Sequence, residues 1–208
     1  MLYVDVISLD SYRRARARDR QHARPAAAPL TFYFDLRSVY TYLAAERVDR
    51  MFAGVRWLPA SAKALGRGIV LGDDERRVVR TRATLLGLPL VWPGEPPALE
   101  LGAMRVAALA AERGVAAQFV LAASRLVFCG GYAIADPETL AEAAATAGID
   151  WRDMLRAAGD VSRDGPIEEA GRLLLAAGAD RLPAMRVGAR LFCGEDRLSE
   201  VAAARVSA

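Results

Sequence analysis

At 208 residues, with 53% hydrophobic and 25% charged side chains, the chain is long enough to bury one proper hydrophobic core, and a second independent domain is not expected. The mean hydropathy of +0.14 excludes a disordered chain, and no apolar run approaches the roughly 20 residues of a bilayer-spanning helix. The formal charge is only +3, and arginines between Arg13 and Arg24 supply much of the excess.

These arginines belong to residues 1–29, which we expect to form a basic, disordered arm ahead of a domain that spans residues 30–208. A basic arm can contact nucleic acid or anionic lipid, but a short Arg-rich tail is more often merely disordered. We therefore expect the protein to bind neither nucleic acid nor a membrane. Residues 1–29 lack the pattern of a secretory signal peptide, and their aspartates argue against a transit peptide. The expected location is therefore the cytoplasm.

The cysteines and the single histidine exclude several kinds of site. Cys129 and Cys193 lie far apart, in no CxxC or metal-type spacing, which argues against a disulfide scaffold, a metal site and a dithiol redox centre. We interpret both as buried or inert thiols. His22 falls in the arm, so Ser-His-Asp or Cys-His chemistry is not expected either.

The first predicted elements alternate between strand and helix. Leu30–Phe34 is rich in β-branched and aromatic residues and predicts a strand. From Ser38, which stands where an N-cap belongs, apolar residues recur at helical spacing up to Gly54. Residues 55–58 predict a second strand, ended by Pro59, and strand–helix–strand is the parallel unit with a right-handed crossover.

A long stretch with little strand character follows. Five segments have a helical pattern and are separated by glycine and proline: residues 73–86, 101–113, 116–127, 137–147 and 151–158. Residues 166–177 predict another helix, Gly188 takes the first central position of a two-residue hairpin, and residues 196–206 predict the last helix. This order predicts an α/β, thioredoxin-like fold with an all-helical sub-domain inserted at roughly residues 66–165.

Three segments, in this order along the chain, resemble the signatures of one family. FYFDLRSVYTYLA at residues 32–44 is similar to the family pattern FYFD-x-x-SPYSYLA, and GAMRVA at residues 102–107 is similar to an arginine-bearing helix start. LPAMRVGARLFCGEDRL at residues 182–198 is similar to VPTFFVGGELFWGQDRL. The chain thus resembles the 2-hydroxychromene-2-carboxylate isomerase and kappa-class glutathione transferase family, over about residues 30–205.

The resemblance implies a DsbA-like thioredoxin fold in which Ser38 takes the position of the nucleophilic cysteine of disulfide oxidoreductases. Ser38 and Thr41 cannot exchange disulfides, because that reaction needs a stabilised thiolate and a resolving cysteine. The implied catalytic role of Ser38 is to hydrogen-bond the thiolate of glutathione, or of another low-molecular-weight thiol, at the positive end of a helix dipole. The alternative is that Ser38 is a plain helix N-cap.

Three further residues are implied to bind glutathione. The resemblance implies a cis bond between Leu182 and Pro183, with the Leu182 backbone pairing with the glutathione peptide as an added strand would. The alternative is an ordinary loop proline. Asp196 is implied to contact the γ-glutamyl end, although aspartate at a helix start is also a common cap.

The implied activity is that of a glutathione-dependent isomerase, which adds the thiol reversibly to a conjugated aromatic pyruvate, or of a kappa-type transferase. The substrate would be a small aromatic or electrophilic molecule, and because kappa-class relatives are dimers, a homodimer is implied. One alternative is a DsbA-type oxidoreductase that uses Cys129 or Cys193. Another is a catalytically degenerate member that binds a thiol without turnover.

The chain departs from the family pattern at four positions that we expect to touch the ligand: Val39, Leu99, Ala184 and Glu195. By alignment, Leu99 replaces an asparagine in the Pro-rich loop, which would remove a polar group near the thiol. Glu195 replaces a glutamine and is expected to add negative charge beside Asp196. The departures at Val39 and Leu99 motivate the degenerate alternative.

Two features of the substrate site are predicted less directly. Lys63 is a candidate replacement for a substrate-binding lysine of the family. The inserted helices would roof an apolar pocket, with Trp92, Phe128 or Tyr132 as candidate lining residues. Aromatic side chains at such positions are also commonly core residues.

Overall fold

The computed structural model describes residues 28–66, 71–94 and 101–206. Four strands in these residues form one mixed sheet: β1 (Leu30–Phe34), β2 (Val55–Pro59), β3 (Ala184–Val187) and β4 (Arg190–Cys193). Their spatial order is β2-β1-β3-β4. β1 runs parallel to β2 and antiparallel to β3, and β3 runs antiparallel to β4. β1 therefore lies inside the sheet, with a hydrogen-bonded neighbour on each side.

Eight α-helices complete the described part of the chain. α1 (Val39–Met51) connects β1 to β2, and a block of five helices follows: α2 (Asp73–Leu85), α3 (Gly102–Glu112), α4 (Ala116–Phe128), α5 (Pro137–Thr146) and α6 (Trp151–Gly159). α7 (Asp164–Ala176) leads into the β3–β4 hairpin, and α8 (Leu198–Val206) follows it. Short 3-10 turns lie at Lys63–Leu65, Val161–Arg163 and Glu195–Arg197.

This order confirms the predicted α/β fold with inserted helices, and the differences are local. β2 includes Pro59 because β2 is an edge strand, where the missing N–H group of proline breaks no ladder. α7 begins at Asp164, two residues before the predicted start. The last helix begins as the 3-10 turn Glu195–Arg197 and becomes α-helical at α8. Residues 1–27 of the predicted arm lie outside the described residues.

The predicted two-residue hairpin is confirmed. Val187 pairs with Arg190, which leaves Gly188 and Ala189 as the two loop residues. Gly188 has a φ of 56°, the positive value that the first central position of this turn requires. The hairpin fixes the register of β3, and through β3 it fixes the loop that precedes this strand.

The two faces of the sheet bury cores of different size. On one face, Phe32, Phe34 and Met185 are fully buried in a large cluster that also includes side chains of α1, α8 and the helical block. Phe32 meets Trp57 edge-on, with 4.7 Å between the ring centroids. The opposite face carries a small cluster under α7, which includes Leu174. Burial of these apolar side chains is the main stabilising contribution.

Gly171 allows α7 to lie directly against the turn that follows β2. A Cβ atom at position 171 would come within 2.6 Å of the Ser61 carbonyl oxygen and 2.7 Å of the Ala64 Cβ. The Ser61 N–H group also donates to the Ile167 carbonyl, at 3.1 Å. Close contact with α7 therefore holds residues 60–65 at the end of the sheet.

We expect Gly171→Ala to destabilise the protein by about 1–3 kcal/mol, because the added methyl group must displace backbone atoms. Gly165→Ala in the same helix is the matched control, since a Cβ there meets nothing within 4 Å. The free energy of unfolding of the control should rise by about 0.5–1 kcal/mol, because alanine has a better helix propensity than glycine. Urea unfolding measures both, and equal stability of the two variants would contradict the close-approach argument.

Candidate functional site

The turn between β1 and α1 is organised by one carboxylate, that of Asp35, which is fully buried. Its Oδ1 atom accepts hydrogen bonds from the Arg37 backbone N–H, at 3.0 Å, and from Arg37 Nε, at 2.9 Å. Its Oδ2 atom accepts from Arg37 Nη2, at 2.7 Å, and from the Ala62 N–H, at 3.1 Å. The carboxylate thereby ties the turn to the loop that follows β2.

Three backbone groups of the same turn are also fixed. The Asp35 N–H donates to the hydroxyl of Thr41, which is itself fully buried, at 3.3 Å. The Ser38 N–H donates to the Asp35 carbonyl at 3.0 Å. The Leu36 N–H lies 3.3 Å from the sulfur of Met104 on α3. The turn therefore has a defined conformation before any ligand binds.

Ser38 occupies the N-cap position of α1, as predicted, but its side chain makes no capping hydrogen bond. Its backbone is extended, with φ of −94° and ψ of 122°, and its carbonyl accepts from the Thr41 N–H. The half-buried hydroxyl makes no hydrogen bond to any described residue. Ser38 thus lacks the interaction that defines a side-chain cap and presents an available donor at the start of a 13-residue helix.

The peptide bond between Leu182 and Pro183 is cis, which confirms that prediction. Tyr33 pairs with Ala184, so Pro183 lies at the end of the sheet from which the chain leaves β1 toward Ser38. The Leu182 side chain is buried in the small cluster. Its backbone N–H and C=O groups make no hydrogen bond within the described part of the chain, which leaves both available to an added peptide strand.

Asp196 is exposed in the Glu195–Arg197 turn. Its carboxylate makes no hydrogen bond with a described side chain or backbone group, so the alternative reading as a helix cap is not supported. A Cβ at Gly194, where φ is 102°, would lie 2.5 Å from Asp196 Oδ1 and 3.6 Å from Arg181 Cδ. Glycine is therefore required for this close approach. The pKa of Arg181 is raised, chiefly by its hydrogen bond to Asp180 and to a smaller extent by Asp196.

The expectation that Glu195 adds negative charge on the ligand side is wrong. Its side chain turns inward and is 7% exposed. Oε2 accepts from Arg47 Nη1 at 2.9 Å, and Oε1 accepts from Arg82 Nε at 2.7 Å. The pKa of Arg82 is raised, first of all by this hydrogen bond. Two guanidinium groups thus compensate the carboxylate, and Glu195 links α1 and α2 to the turn that carries Asp196.

The remaining departures from the similar signatures, and Lys63, form no ion pair of this kind in the described residues. Val39 and Ala184 are buried in the two apolar clusters. Leu99 lies outside the described residues, so its expected effect stays a prediction. Lys63 is exposed in the 3-10 turn after β2.

A cavity of about 460 Å³ lies in the helical block, with Arg37 in its wall. Its other lining residues include Met104, Ile134, Leu140, Met154 and Ala158. None of the three aromatic residues predicted as a roof lines it. Phe128 is a core residue that stacks on Tyr42, with 5.7 Å between centroids; Trp92 lies under the Arg76 guanidinium; and Tyr132 is 57% exposed.

Both cysteines are unpaired and half-buried. The Cys129 thiol lies 3.2 Å from the Tyr42 hydroxyl, which donates to the Pro89 carbonyl at 2.6 Å. Burial, followed by the contact with Cys129, raises the pKa of Tyr42 above its usual value. Cys193 lies in β4, opposite Ala184. Neither thiol occupies the position of Ser38 or Thr41, and no group of three or more metal-ligating side chains occurs in residues 28–66, 71–94 and 101–206.

Sequence comparison decides the family. The DSBA-like thioredoxin domain model matches residues 29–204, most of the chain. The chain belongs to this family. A search of curated protein sequences found no match. In the described ranges of this DSBA-like protein, no helix has the length and apolar character needed to cross a membrane.

The solved structures with a similar fold include proteins with different named activities. A 2-hydroxychromene-2-carboxylate isomerase aligns with a TM-score of 0.70 and 20% identity, covering 86% of this chain and 94% of that one. A probable DsbA oxidoreductase from Streptomyces coelicolor aligns with a TM-score of 0.65 and 17% identity over 86% and 89% of the two chains. The cytosolic disulfide reductase DsbM from Pseudomonas aeruginosa with GSH aligns with a TM-score of 0.61 and 18% identity, covering 86% of this chain and 96% of that one. At these identities the likeness is one of fold.

Sequence reasoning missed two parts of this site, the Asp35–Arg37 pair and the inward ion pairs of Glu195. The first had a local signal, since an arginine two residues after an aspartate at a strand end can fold back onto it. The second had none, because Arg82 and Glu195 are 113 positions apart.

We expect Asp35→Ala to destabilise the protein by about 3–5 kcal/mol, because the buried Arg37 guanidinium loses its counter-ion. Asp74→Ala is the control, since that carboxylate is 90% exposed in its pair with Arg77 and should contribute about 0–1 kcal/mol. Urea unfolding followed by tryptophan fluorescence measures both losses. A loss for Asp35→Ala as small as that of the control would show that the pair does not organise the turn.

Proposed function

We propose that this protein is a glutathione-dependent enzyme of the isomerase or transferase type, in which Ser38 stabilises the thiolate of bound glutathione. The observation that carries the proposal is the available hydroxyl of Ser38 at the start of α1. A hydroxyl donor and the positive end of a helix dipole both favour the charged form of a thiol placed there. Another low-molecular-weight thiol would use the same chemistry.

The loop before β3 would hold the peptide part of glutathione. The N–H and C=O groups of Leu182 have no partner among the described residues, and Pro183 directs them from the end of the sheet near Ser38. The cysteinyl backbone of glutathione would pair with Leu182 as an added strand. The exposed carboxylate of Asp196 would accept hydrogen bonds from the γ-glutamyl ammonium group.

The reaction proposed for an aromatic pyruvate is reversible addition. The glutathione thiol releases its proton to solvent on binding. The thiolate then forms a C–S bond to the conjugated double bond, whose electron pair moves to the carbonyl as an enolate. Rotation about the resulting single bond follows. The enolate then expels the thiolate, which breaks the C–S bond and regenerates glutathione. With an electrophile that carries a leaving group, the thiolate displaces that group and the C–S bond persists.

The thiol–disulfide oxidoreductase alternative has less support from the site. By the resemblance, Ser38 and Thr41 take the positions of the nucleophilic and resolving cysteines, and a hydroxyl cannot replace either thiol in exchange. Cys129 contacts Tyr42 and Cys193 lies in β4, so neither thiol takes either of these positions. The degenerate alternative draws its support from Val39 and Leu99. A cytoplasmic location, a small aromatic or electrophilic substrate and a homodimer stay predictions.

We expect the wild-type protein to bind glutathione saturably in calorimetry and to lower the pKa of its thiol, followed through the ultraviolet thiolate band. Ser38→Ala should raise the pKa of the bound thiol by about 1–2 relative to wild type, because one hydrogen bond to a charged acceptor is lost. The pH at which activity rises should move upward by the same amount. Ser199→Ala, at an exposed position of α8, is the control and should behave as wild type.

Four results would contradict the proposal. No glutathione binding would exclude the thiol site altogether. An unchanged thiol pKa in Ser38→Ala would exclude the role of Ser38. Reduction of a disulfide substrate, abolished by Cys129→Ser or Cys193→Ser, would establish the oxidoreductase instead. Glutathione binding with a lowered thiol pKa but no isomerisation or conjugation would identify the degenerate, thiol-binding member.

A further inference from the structure

The cavity in the helical block has the size and walls of a site for a small molecule. Its volume of about 460 Å³ falls within the range of about 300–1,000 Å³ that is usual for ligand pockets. Met104 from α3, Leu140 from α5 and Met154 from α6 give it apolar walls. The proposed thiol site uses none of these side chains.

A buried guanidinium group in the cavity wall, that of Arg37, keeps one edge free of hydrogen bonds. The Arg37 side chain is 5% exposed, and its Nε and Nη2 atoms are bonded to Asp35. Its Nη1 atom makes no hydrogen bond to any described residue and is not among the buried polar atoms that lack partners. Arg37 lines the cavity and is otherwise enclosed, which is the arrangement expected if the free Nη1 edge faces the cavity space. A planar guanidinium edge is suited to a carboxylate.

The start of α3 adds a second positive element to the same wall. Gly102 and Ala103 line the cavity, and their backbone N–H groups have no partner in the described part of the chain. The N-cap residue Leu101 supplies no side-chain cap. Unsatisfied N–H groups at the start of an 11-residue helix favour an anion. The free guanidinium edge and these donors therefore favour the same kind of ligand.

No described lining residue carries a negative charge that opposes an anion. Among the described lining residues there are two arginines, Arg37 and Arg105, and no carboxylate. Arg105 is bonded to Asp164, which does not line the cavity. Asp35 also lies outside the lining set, and four hydrogen bonds already occupy its carboxylate. An anion in the cavity thus meets donors and no acidic side chain of the described wall.

We propose that this cavity binds a small monocarboxylic acid with an apolar body. The carboxylate accepts hydrogen bonds from Arg37 Nη1 and from the N–H groups at the start of α3. The apolar body lies against Met104, Leu140 and Met154. The site uses neither Ser38 nor a thiol, so it stands independently of the proposed glutathione chemistry.

The first test is calorimetric titration of the wild-type protein, without any thiol, with phenylacetate and with the uncharged phenylacetamide. The acid should bind saturably and at least about tenfold more tightly than the amide, since only the acid makes charge-assisted hydrogen bonds. Equal affinity for the two probes, or no binding of the acid, would overturn the proposal.

The second test places the ligand through the methionine methyl groups. Met104 and Met154 both line the cavity, whereas Met51 is 47% exposed on α1 and Met185 is buried in the sheet. In protein labelled with carbon-13 at these methyl groups, phenylacetate should shift the resonances of Met104 and Met154 and leave those of Met51 and Met185 in place. Shifts confined to Met51 or Met185 would place the ligand elsewhere and contradict the site.

The third test removes the buried pair as a unit. The double variant Asp35→Asn, Arg37→Met leaves no unpaired charge in the interior, and circular dichroism checks its fold. Its affinity for phenylacetate should fall to that of the amide, at least about tenfold below wild type. Arg50→Met, at an exposed arginine of α1, should keep wild-type affinity. Retained acid binding in a folded double variant would show that Arg37 is not the anchor.

Discussion

The buried carboxylate of Asp35 is the interaction on which the rest of the site depends. It accepts four hydrogen bonds, three from Arg37 and one from the loop after β2, and it fixes the turn that enters α1. Because an ion pair in the interior is costly to break, this turn keeps one geometry whether or not a ligand is present. The turn then presents two neighbouring residues differently: Arg37 in the wall of the cavity, and the Ser38 hydroxyl at the start of the helix. Both proposed sites are thus preorganised by the same carboxylate.

A second buried carboxylate organises the other side of the proposed thiol site. Glu195 bonds to Arg47 on α1 and Arg82 on α2, and so holds the turn that carries Asp196 against two helices. At a position where the similar signature VPTFFVGGELFWGQDRL has glutamine, this chain accommodates an acidic residue because two guanidinium groups compensate it. In this chain the acidic residue itself, through Arg47 and Arg82, helps to hold the turn. Val39 is also accommodated, because its side chain is buried in the large cluster.

Local signals predicted much of this fold, and distant contacts account for what was missed. Leu30–Phe34 and the Gly188 hairpin were predicted correctly, because strand composition and a glycine with positive φ act over a few residues. The position of Ser38 as N-cap also followed from local spacing, whereas its lack of a capping bond depends on side-chain orientation that spacing does not specify. The inward turn of Glu195 depends on Arg47, 148 positions away. The cavity likewise combines residues from Arg37 to Ala158, which no local pattern brings together.

We propose that the start of α1 and the Leu182–Pro183 loop form one thiol-binding site, and a crystal structure of the protein with glutathione would show whether they do. We expect the glutathione sulfur to lie about 3.0–3.5 Å from the Ser38 hydroxyl oxygen, with the cysteinyl backbone paired to Leu182. Glutathione bound elsewhere, or joined in a mixed disulfide to Cys129 or Cys193, would contradict it.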